Sequence, residues 1–514
     1  MSKRRAFLLK ILIFLFALNS ISLCFYFSSH PIQLRHHKLT ENHQTLTENR
    51  KTLTKPQNPN PVPVNFHGKP WPILPSYLPW TLNPNVRPRS CEGYFGNGFN
   101  RRIDVIESPS SNGWFRCFYS ETLGSSICEG GRVRMDPEKI EMSMGGEDLA
   151  SVIGRSEEDE LPSFELGAFG IEVGEEGGER KKLVNMEFLD RFLPEGDVQR
   201  HTMRGLVDSM ELVGSDEFKC DQWIEDPTLL VTRFEYANLF HTVTDWYSAY
   251  VASRVMGLPT RPHLVFMDGH CKTPLEDTWR RLFSTLRYAK SFNASVCFRH
   301  VILSPLGYET ALFKGLTEIV KCDGASARDL WQNPDDRKTA RLSEFGEMVR
   351  ASFGFPVDRK MVIKAYNILF VRREDYLAHP RHRGRVESRL SNEQELFDSL
   401  KNWTDNNLSC KVNLVNGLFA HMPLKEQVRA IQDASVIIGA HGAGLTHIIA
   451  ATPKTVILEI ISAQYRRPHF ALISQWKGLE YHAINLLGSY AEPKVVINKF
   501  SSIMQSIGCA GIVR

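Results

Sequence analysis

The chain has 514 residues, 42% of them hydrophobic, with 62 Lys plus Arg set against 58 Asp plus Glu, so its net charge is only +4. That balance argues against a nucleic-acid surface, and the apolar content excludes a chain that is disordered throughout. The length is too great for one typical core, so two domains are the default for the body.

Lys3-Arg4-Arg5 precede an apolar segment, residues 6–27, in which Lys10 lies near the start. As a helix this segment spans roughly 33 Å at 1.5 Å per residue, enough to cross a bilayer. Positive charge ahead of the span keeps the amino terminus in the cytosol and the rest of the chain in the lumen. A cleaved signal peptide is the rival reading, but Ser28-Ser29-His30-Pro31 lacks a small-x-small cleavage site. The expectation is a cytosolic tail at 1–5, an uncleaved signal anchor at 6–27 and a stem at 28–90. Ten of the chain's 27 prolines fall within 56–88, beside Trp71 and Trp80, which reads as a stiff, extended second half of that stem, a disordered linker with no spacing role being the equally compatible alternative.

Beyond the anchor stand nine cysteines, an odd number, so in an oxidising lumen some pair and at least one stays free or pairs between chains. Asn293-Ala294-Ser295, Asn402-Trp403-Thr404 and Asn407-Leu408-Ser409 are acceptor motifs for N-glycosylation. Residues 157–182, rich in Glu and Gly without helical or strand period, read as a solvated loop or insertion.

Strands are expected at 228–232 and 263–267, on either side of a helix at about 238–254. Leu239, Val243, Trp246 and Tyr250 give that helix an apolar stripe, and Asn238, His241, Asp245 and Ser248 a polar one. His241 and Asp245 are four residues apart and meet on one face, where a carboxylate and an imidazole can hold each other's protonation state. They are a candidate general-base pair; a plain solvated helix face is the alternative. Asp268-Gly269-His270 follows a strand and is the nearest substitute for the Asp-x-Asp pair that the chain lacks, though a turn explains it equally well.

After an expected domain boundary near 345/346 come strands at 366–371, 411–415 and 455–461, with a helix opened by Pro423 whose apolar residues Leu424, Val428, Ile431 and Ala434 follow helical spacing. Arg372-Arg373 end the first strand, where guanidiniums suit phosphate or a sugar carboxylate. Between the apolar run 435–440 and the helix-capable 446–450 lies His441-Gly442-Ala443-Gly444-Leu445. Its glycines let the backbone approach a ligand, and the N–H groups and dipole of the following helix suit phosphate oxygens. A close-packed turn is the alternative, because the third glycine of the dinucleotide fingerprint is missing. Glu459 interrupts an apolar strand, and a buried carboxylate calls for a partner or ligand, ribose hydroxyls being one. Strand, helix, strand, glycine turn, helix, strand is the order of a parallel sheet whose ligands bind beyond its carboxyl ends.

Longer stretches carry a resemblance. They are residues 69–80, Cys91-Glu92-Gly93-Tyr94-Phe95-Gly96-Asn97-Gly98, Trp114-Phe115-Arg116-Cys117-Phe118-Tyr119, the run 233–247 that contains Arg233, Glu235, Asn238, His241 and Asp245, Val371-Arg372-Arg373-Glu374-Asp375-Tyr376, and the glycine turn. On these the chain resembles glycosyltransferase family 61 along nearly the whole body. The resemblance implies an α/β, GT-B-like fold of two facing Rossmann-like domains, an acceptor-side domain at 91–345 and a nucleotide-sugar-binding domain at 346–514. It implies a single-pass type II protein of the Golgi membrane that needs no metal or other cofactor. UDP-xylose would be the donor, and the core β-mannose of N-glycans on glycoproteins the acceptor.

An inverting reaction of that kind needs a base, a role that would fall to Asp245 with His241 orienting or replacing it. Arg233, Glu235 and Asn238 would lie on the acceptor side. Arg372, Arg373, His441, Gly442, Ala443, Gly444 and Leu445 would hold the diphosphate and Glu459 the ribose. Two alternatives remain open: the same fold using another UDP-sugar, such as UDP-N-acetylglucosamine or UDP-arabinose, or a glycan-binding membrane protein without turnover.

Overall fold

The computed structural model describes residues 62–64, 67–75, 99–106, 113–174, 181–196, 198, 200, 203–317, 341–357, 365–373, 380 and 389–509. Every described residue belongs to one compact unit within Pro59–Arg514. The expected anchor at 6–27 lies outside the described residues; among these no helix is long and apolar enough to cross a membrane.

This unit is mixed α/β. A seven-stranded sheet runs in spatial order Leu286–Tyr288, His263–Phe266, Thr228–Val231, Val301–Leu303, Ser125–Gly131, Trp114–Ser120 and Arg101–Ile106. The first four strands are parallel and the last three antiparallel. Numbered along the chain, the parallel strands stand 3-2-1-4, so the connections after Thr228–Val231 and Val301–Leu303 leave in opposite directions and open a crevice between them. A second seven-stranded sheet, containing Val133–Met135, Phe169–Val173 and Met210–Gly214, covers one face of the first through a core that includes Phe115, Phe169, Ile171, Leu230 and Val265.

A five-stranded, wholly parallel sheet follows, in spatial order Val412–Gly417, Tyr366–Val371, Val436–Ala440, Val456–Ile461 and Glu480–Asn485. Its order is 2-1-3-4-5, again with a reversal, here between Tyr366–Val371 and Val436–Ala440. Alternate residues serve its two faces. Ile368, Phe370, Val436, Ile438 and Leu458 pack beneath helices Glu393–Asn407 and Pro493–Ser506, while Leu369, Val371, Ile437 and Ile457 face the core shared with the rest of the unit.

Helix Leu239–Val255 joins the two halves. Asn238 caps it by accepting from the Phe240 N–H at 3.0 Å. Every residue from Thr242 to Val255 is buried, because one side lies on the first sheet and another on the segment Ala443–Ala450. Helix Leu342–Ser352, across which the expected 345/346 boundary falls, packs into the same core through Phe345 and Met348.

Most expected elements fall within a residue or two of their observed ends, and 366–371 coincides with Tyr366–Val371. Two expectations fail. Residues 157–182 are not all solvated loop: Phe169–Val173 is a buried strand, with Glu172 paired to Arg132 and, earlier in the same stretch, Glu160 to His270. Glycine and glutamate hid that strand because its charges are neutralised inside the fold. Residues 67–75 of the expected stem are docked on the body. Arg261 N–H donates to Lys69 O at 2.9 Å, Trp71 Nε1–H donates to Leu258 O at 2.9 Å, and Arg254 lies over the Trp71 ring at 4.9 Å. Trp71→Ala removes that half-buried contact and is expected to cost about 2 kcal/mol of stability. Urea unfolding of residues 59–514 tests this, and an unchanged midpoint contradicts the docking.

Candidate active site

The crevice of the first sheet is built around Asp245. Its carboxylate is 1% exposed and accepts from two backbone amides: Phe234 N–H at 3.2 Å and Gly307 N–H at 3.1 Å. Phe234 lies just after Thr228–Val231, and Gly307 just after Val301–Leu303. One carboxylate therefore staples the two chains that diverge at the reversal. Glycine is required at 307, since an added Cβ would lie 2.6 Å from Asp245 Oδ1. Burial pushes the carboxyl up to about 7, against the pull of the two amides.

The expected His241–Asp245 pair is not formed. The two side chains share a helix face, yet no hydrogen bond joins them, because Asp245 turns into the fold and His241, half-buried, faces its mouth. His241 Nδ1 lies 2.9 Å from the Tyr308 hydroxyl, and the two rings stack with centroids 5.3 Å apart. Phe234 and Phe240 close around the imidazole edge-on at 5.6 and 5.2 Å. Burial, then the neighbouring His469, push His241 down to about 4, so the ring is neutral at physiological pH. The contact with Tyr308 fits either tautomer of the neutral ring, the phenol donating to or accepting from Nδ1, and no described residue bonds to Nε2. Burial holds the Tyr308 phenol well above its usual range, so it stays neutral beside His241.

The acceptor-side residues separate. Arg233 is 2% exposed and does not face a ligand: it pairs with Asp268 at 2.6 Å, donates to His270 O at 3.2 Å and lies over the Phe266 ring at 3.9 Å. The same pair accounts for Asp268-Gly269-His270, whose carboxylate is taken by Arg233 and whose imidazole lies 3.1 Å from Glu160. Asn238 serves as the helix cap. Glu235 is half-buried near Tyr308, whose phenol its charge helps raise.

The second crevice opens between Tyr366–Val371 and Val436–Ala440. His441 leaves the latter strand, and Gly442 opens a 3-10 helix, Ala443–Ala450, in place of the expected α-helix start. Gly442 has φ 165°, which any residue adopts; the Nη1 of Arg373 occupies the place of a Cβ there, so a side chain at 442 would displace the end of that arginine. Arg373 thus lies across the glycine turn. The first N–H groups of the helix, those of Ala443 and Gly444, lie half-buried beside it. Leu445 is fully buried and packs toward Gly439. Arg372 is spent locally, donating to Gln394 Oε1 at 2.7 Å with Glu393 at 3.6 Å.

Glu459 does not face a ribose. It is 0% exposed, and its two oxygens receive His441 Nδ1 at 2.5 Å and the Tyr481 hydroxyl at 2.5 Å. It fixes the His441 ring so that Nε2 points away from the carboxylate.

The two crevices adjoin. The helix bearing His241 packs on Ala443–Ala450, Phe240 stacks on His469 at 5.3 Å, and the rings of His469 and His441 lie 6.1 Å apart. Tyr308, His469 and Tyr481 were missed from the sequence. For Tyr308 the signal was Pro305-Leu306-Gly307 after the short apolar run 301–303, a fourth parallel strand and its turn.

Among the sequons, Asn293 and Asn402 are exposed and Asn407, at the end of its helix, is half-buried. Cys117–Cys128, Cys220–Cys297 and Cys410–Cys509 form disulfides, and Cys271 is free and buried among the described residues. Cys91 and Cys322 lie outside them.

The family model Glycosyltransferase 61 matches residues 239–458, from the start of the His241 helix to the strand of Glu459. A beta-1,2-xylosyltransferase of Arabidopsis thaliana is 56% identical over 99% of this chain and 100% of its own length. Beta-1,2-xylosyltransferase RCN11 of Oryza sativa subsp. japonica is 62% identical over 86% of this chain and 84% of its own. An EGF domain-specific O-linked N-acetylglucosamine transferase of Gallus gallus is 25% identical over 52% of this chain and 45% of its own length. The chain belongs to glycosyltransferase family 61.

Two outcomes follow from the geometry. Gly442→Ala forces Arg373 off the turn and should weaken UDP binding by about tenfold or more with the melting temperature little changed; wild-type affinity by calorimetry contradicts the placement of Arg373. Asp245 titrates higher folded than unfolded, so the native state binds a proton the unfolded chain has lost, and stability falls as pH rises from about 4 to about 7. Asp245→Asn should flatten that fall in urea titrations across this range; an identical slope contradicts the buried carboxylate.

Proposed function

We infer that this chain is an inverting β-1,2-xylosyltransferase that moves xylose from UDP-xylose to the 2-hydroxyl of the core β-mannose of N-glycans. The 56% identity along the full length of the Arabidopsis xylosyltransferase carries the assignment of the sugar. The cleft geometry supports the chemistry. The glycine turn, with its free helix amides, Arg373 and His441, is suited to the diphosphate, and the neutral imidazole of His241 lies across the gap, where a base is needed.

In the reaction the mannose 2-hydroxyl oxygen attacks C1 of xylose from the side opposite the phosphate. The C1–O2 bond forms, the C1–O bond to phosphate breaks, the hydroxyl proton passes to His241 Nε2, and UDP leaves with the electron pair. Asp245 takes no proton in this scheme. It fixes the loops bearing Phe234, Glu235 and Tyr308, and the scheme takes the His241 tautomer in which Nδ1–H donates to the Tyr308 oxygen, which leaves Nε2 to receive the proton. Arginine and backbone amides receive the developing charge, so no metal is needed. We place the enzyme in the Golgi membrane as a single-pass type II protein, in a two-lobed GT-B arrangement with the catalytic body in the lumen.

The N-acetylglucosamine transferase relative favours a second reading, the same site with another UDP-sugar. A panel of UDP-sugars with a purified N-glycan separates the two: xylose transfer dominates on the first reading and N-acetylglucosamine transfer on the second. His241→Gln is expected to keep UDP affinity while lowering kcat by about a thousandfold. Retained turnover would remove His241 from the mechanism. Dialysis against EDTA is expected to leave xylose transfer unchanged, and activity restored only by a divalent cation would overturn metal independence.

A further inference from the structure

We propose that His469 is a direct contact of the leaving diphosphate, donating a hydrogen bond to it from beside the glycine turn, while Phe240 holds its ring in place. The proposal rests on the reading of His441–Leu445 as the diphosphate site and assigns that site a further residue.

His469 is the first residue of helix His469–Lys477, which follows strand Val456–Ile461 at the carboxyl edge of the parallel sheet, the same edge that carries His441 and Arg373. Its ring is half-buried, and its centroid lies 6.1 Å from that of His441. One face is covered by Phe240, stacked at 5.3 Å with an interplanar angle of 4°. Phe240 belongs to the helix that carries His241, so the stack leaves the ring's edge, and hence its nitrogens, as the polar part that faces the crevice. Among the described residues neither nitrogen has a hydrogen-bond partner.

The charged and titratable groups around it are His441 from the glycine turn, with Glu459 and Tyr481 behind it, Arg467 from its own segment, and His241 from the central helix. Glu459 is turned to His441 and Tyr481 and so does not serve His469. Burial first, then His441 and Arg467, push the His469 imidazole down to about 4, so the free protein holds it neutral. An anionic diphosphate seated between His441 and His469 reverses the sign of that field and favours the imidazolium, which then donates to the departing oxygen. The proton comes from solvent as the donor binds and returns to it when UDP leaves.

The test is calorimetric titration of UDP into the full chain at pH 7.5, in two buffers of different ionisation heat, for the wild type, His469→Gln and His469→Arg. The wild type should take up more protons per UDP than His469→Gln, by about half a proton or more, and His469→Gln should bind UDP about tenfold more weakly. His469→Arg, permanently charged, should restore affinity without the uptake. In the transfer assay His469→Gln should lose kcat with the acceptor KM unchanged. Equal proton uptake and equal affinity in wild type and His469→Gln, with transfer intact, overturn the His469 contact alone. A wild type that neither binds UDP nor transfers xylose overturns the underlying site reading as well.

Discussion

A single buried carboxyl group organises the first of the two crevices. Asp245 accepts one backbone N–H from each of the two chains that leave neighbouring parallel strands in opposite directions, and it does so where water has no access. Beside that staple, the two chains are joined by the Ser304 N–H, which donates to Leu230 O at 3.1 Å, and by the rings of Phe234 and Tyr308, whose centroids lie 4.8 Å apart. Phe234 and Glu235 ride on one stapled loop and Tyr308 on the other, so the surroundings of His241 are set by Asp245 without any contact between the two side chains. The carboxyl of Asp245 is thus used structurally, as the acceptor of two backbone amides, while the neutral imidazole of His241 lies one helical turn away on the same helix.

The same topological device appears twice. In each parallel sheet the strand order reverses once, and in each the functional residues sit on the loops at that reversal: Phe234 and Gly307 in one sheet, Arg373 and Gly442 in the other. Helix Leu239–Val255 bridges the two crevices. It is buried on all sides beyond its first turn, so its polar residues Asp245 and Ser248 are satisfied inside, Ser248 by donating to Pro305 O at 2.5 Å. Glu459 holds the His441 ring through Nδ1 and Tyr308 holds the His241 ring through Nδ1, so each imidazole is oriented by a neighbour on that nitrogen. Both crevices therefore rest on a buried acceptor, one serving backbone amides and one an imidazole.

Much of the carboxy-terminal sheet was legible in the sequence because its strands are near-continuous apolar runs and its turn carries two glycines. The central helix was also legible in extent, with its cap at Asn238. Its environment was not: the polar stripe Asn238, His241, Asp245, Ser248 looks the same whether it meets solvent or buried amides, and only the packing of strands far apart in the chain decides. Arg233 and Asp268 are 35 residues apart and pair only because their strands are neighbours. Glu459 was rightly singled out as a charge needing a partner, but Tyr481, on the next strand, carries no local signal that it is one. Strand Phe169–Val173 was hidden for a related reason, since a Gly- and Glu-rich run reads as solvated until the partners of its carboxylates are known.

A structure of the full chain with UDP bound measures most directly whether one cleft unites these parts. The account predicts the diphosphate within hydrogen-bond distance of the Ala443 and Gly444 amides and of Arg373, with the open side of the β-phosphate directed toward His241 Nε2. UDP bound at another edge of the parallel sheet, or with its β-phosphate turned away from the His241 helix, would contradict it.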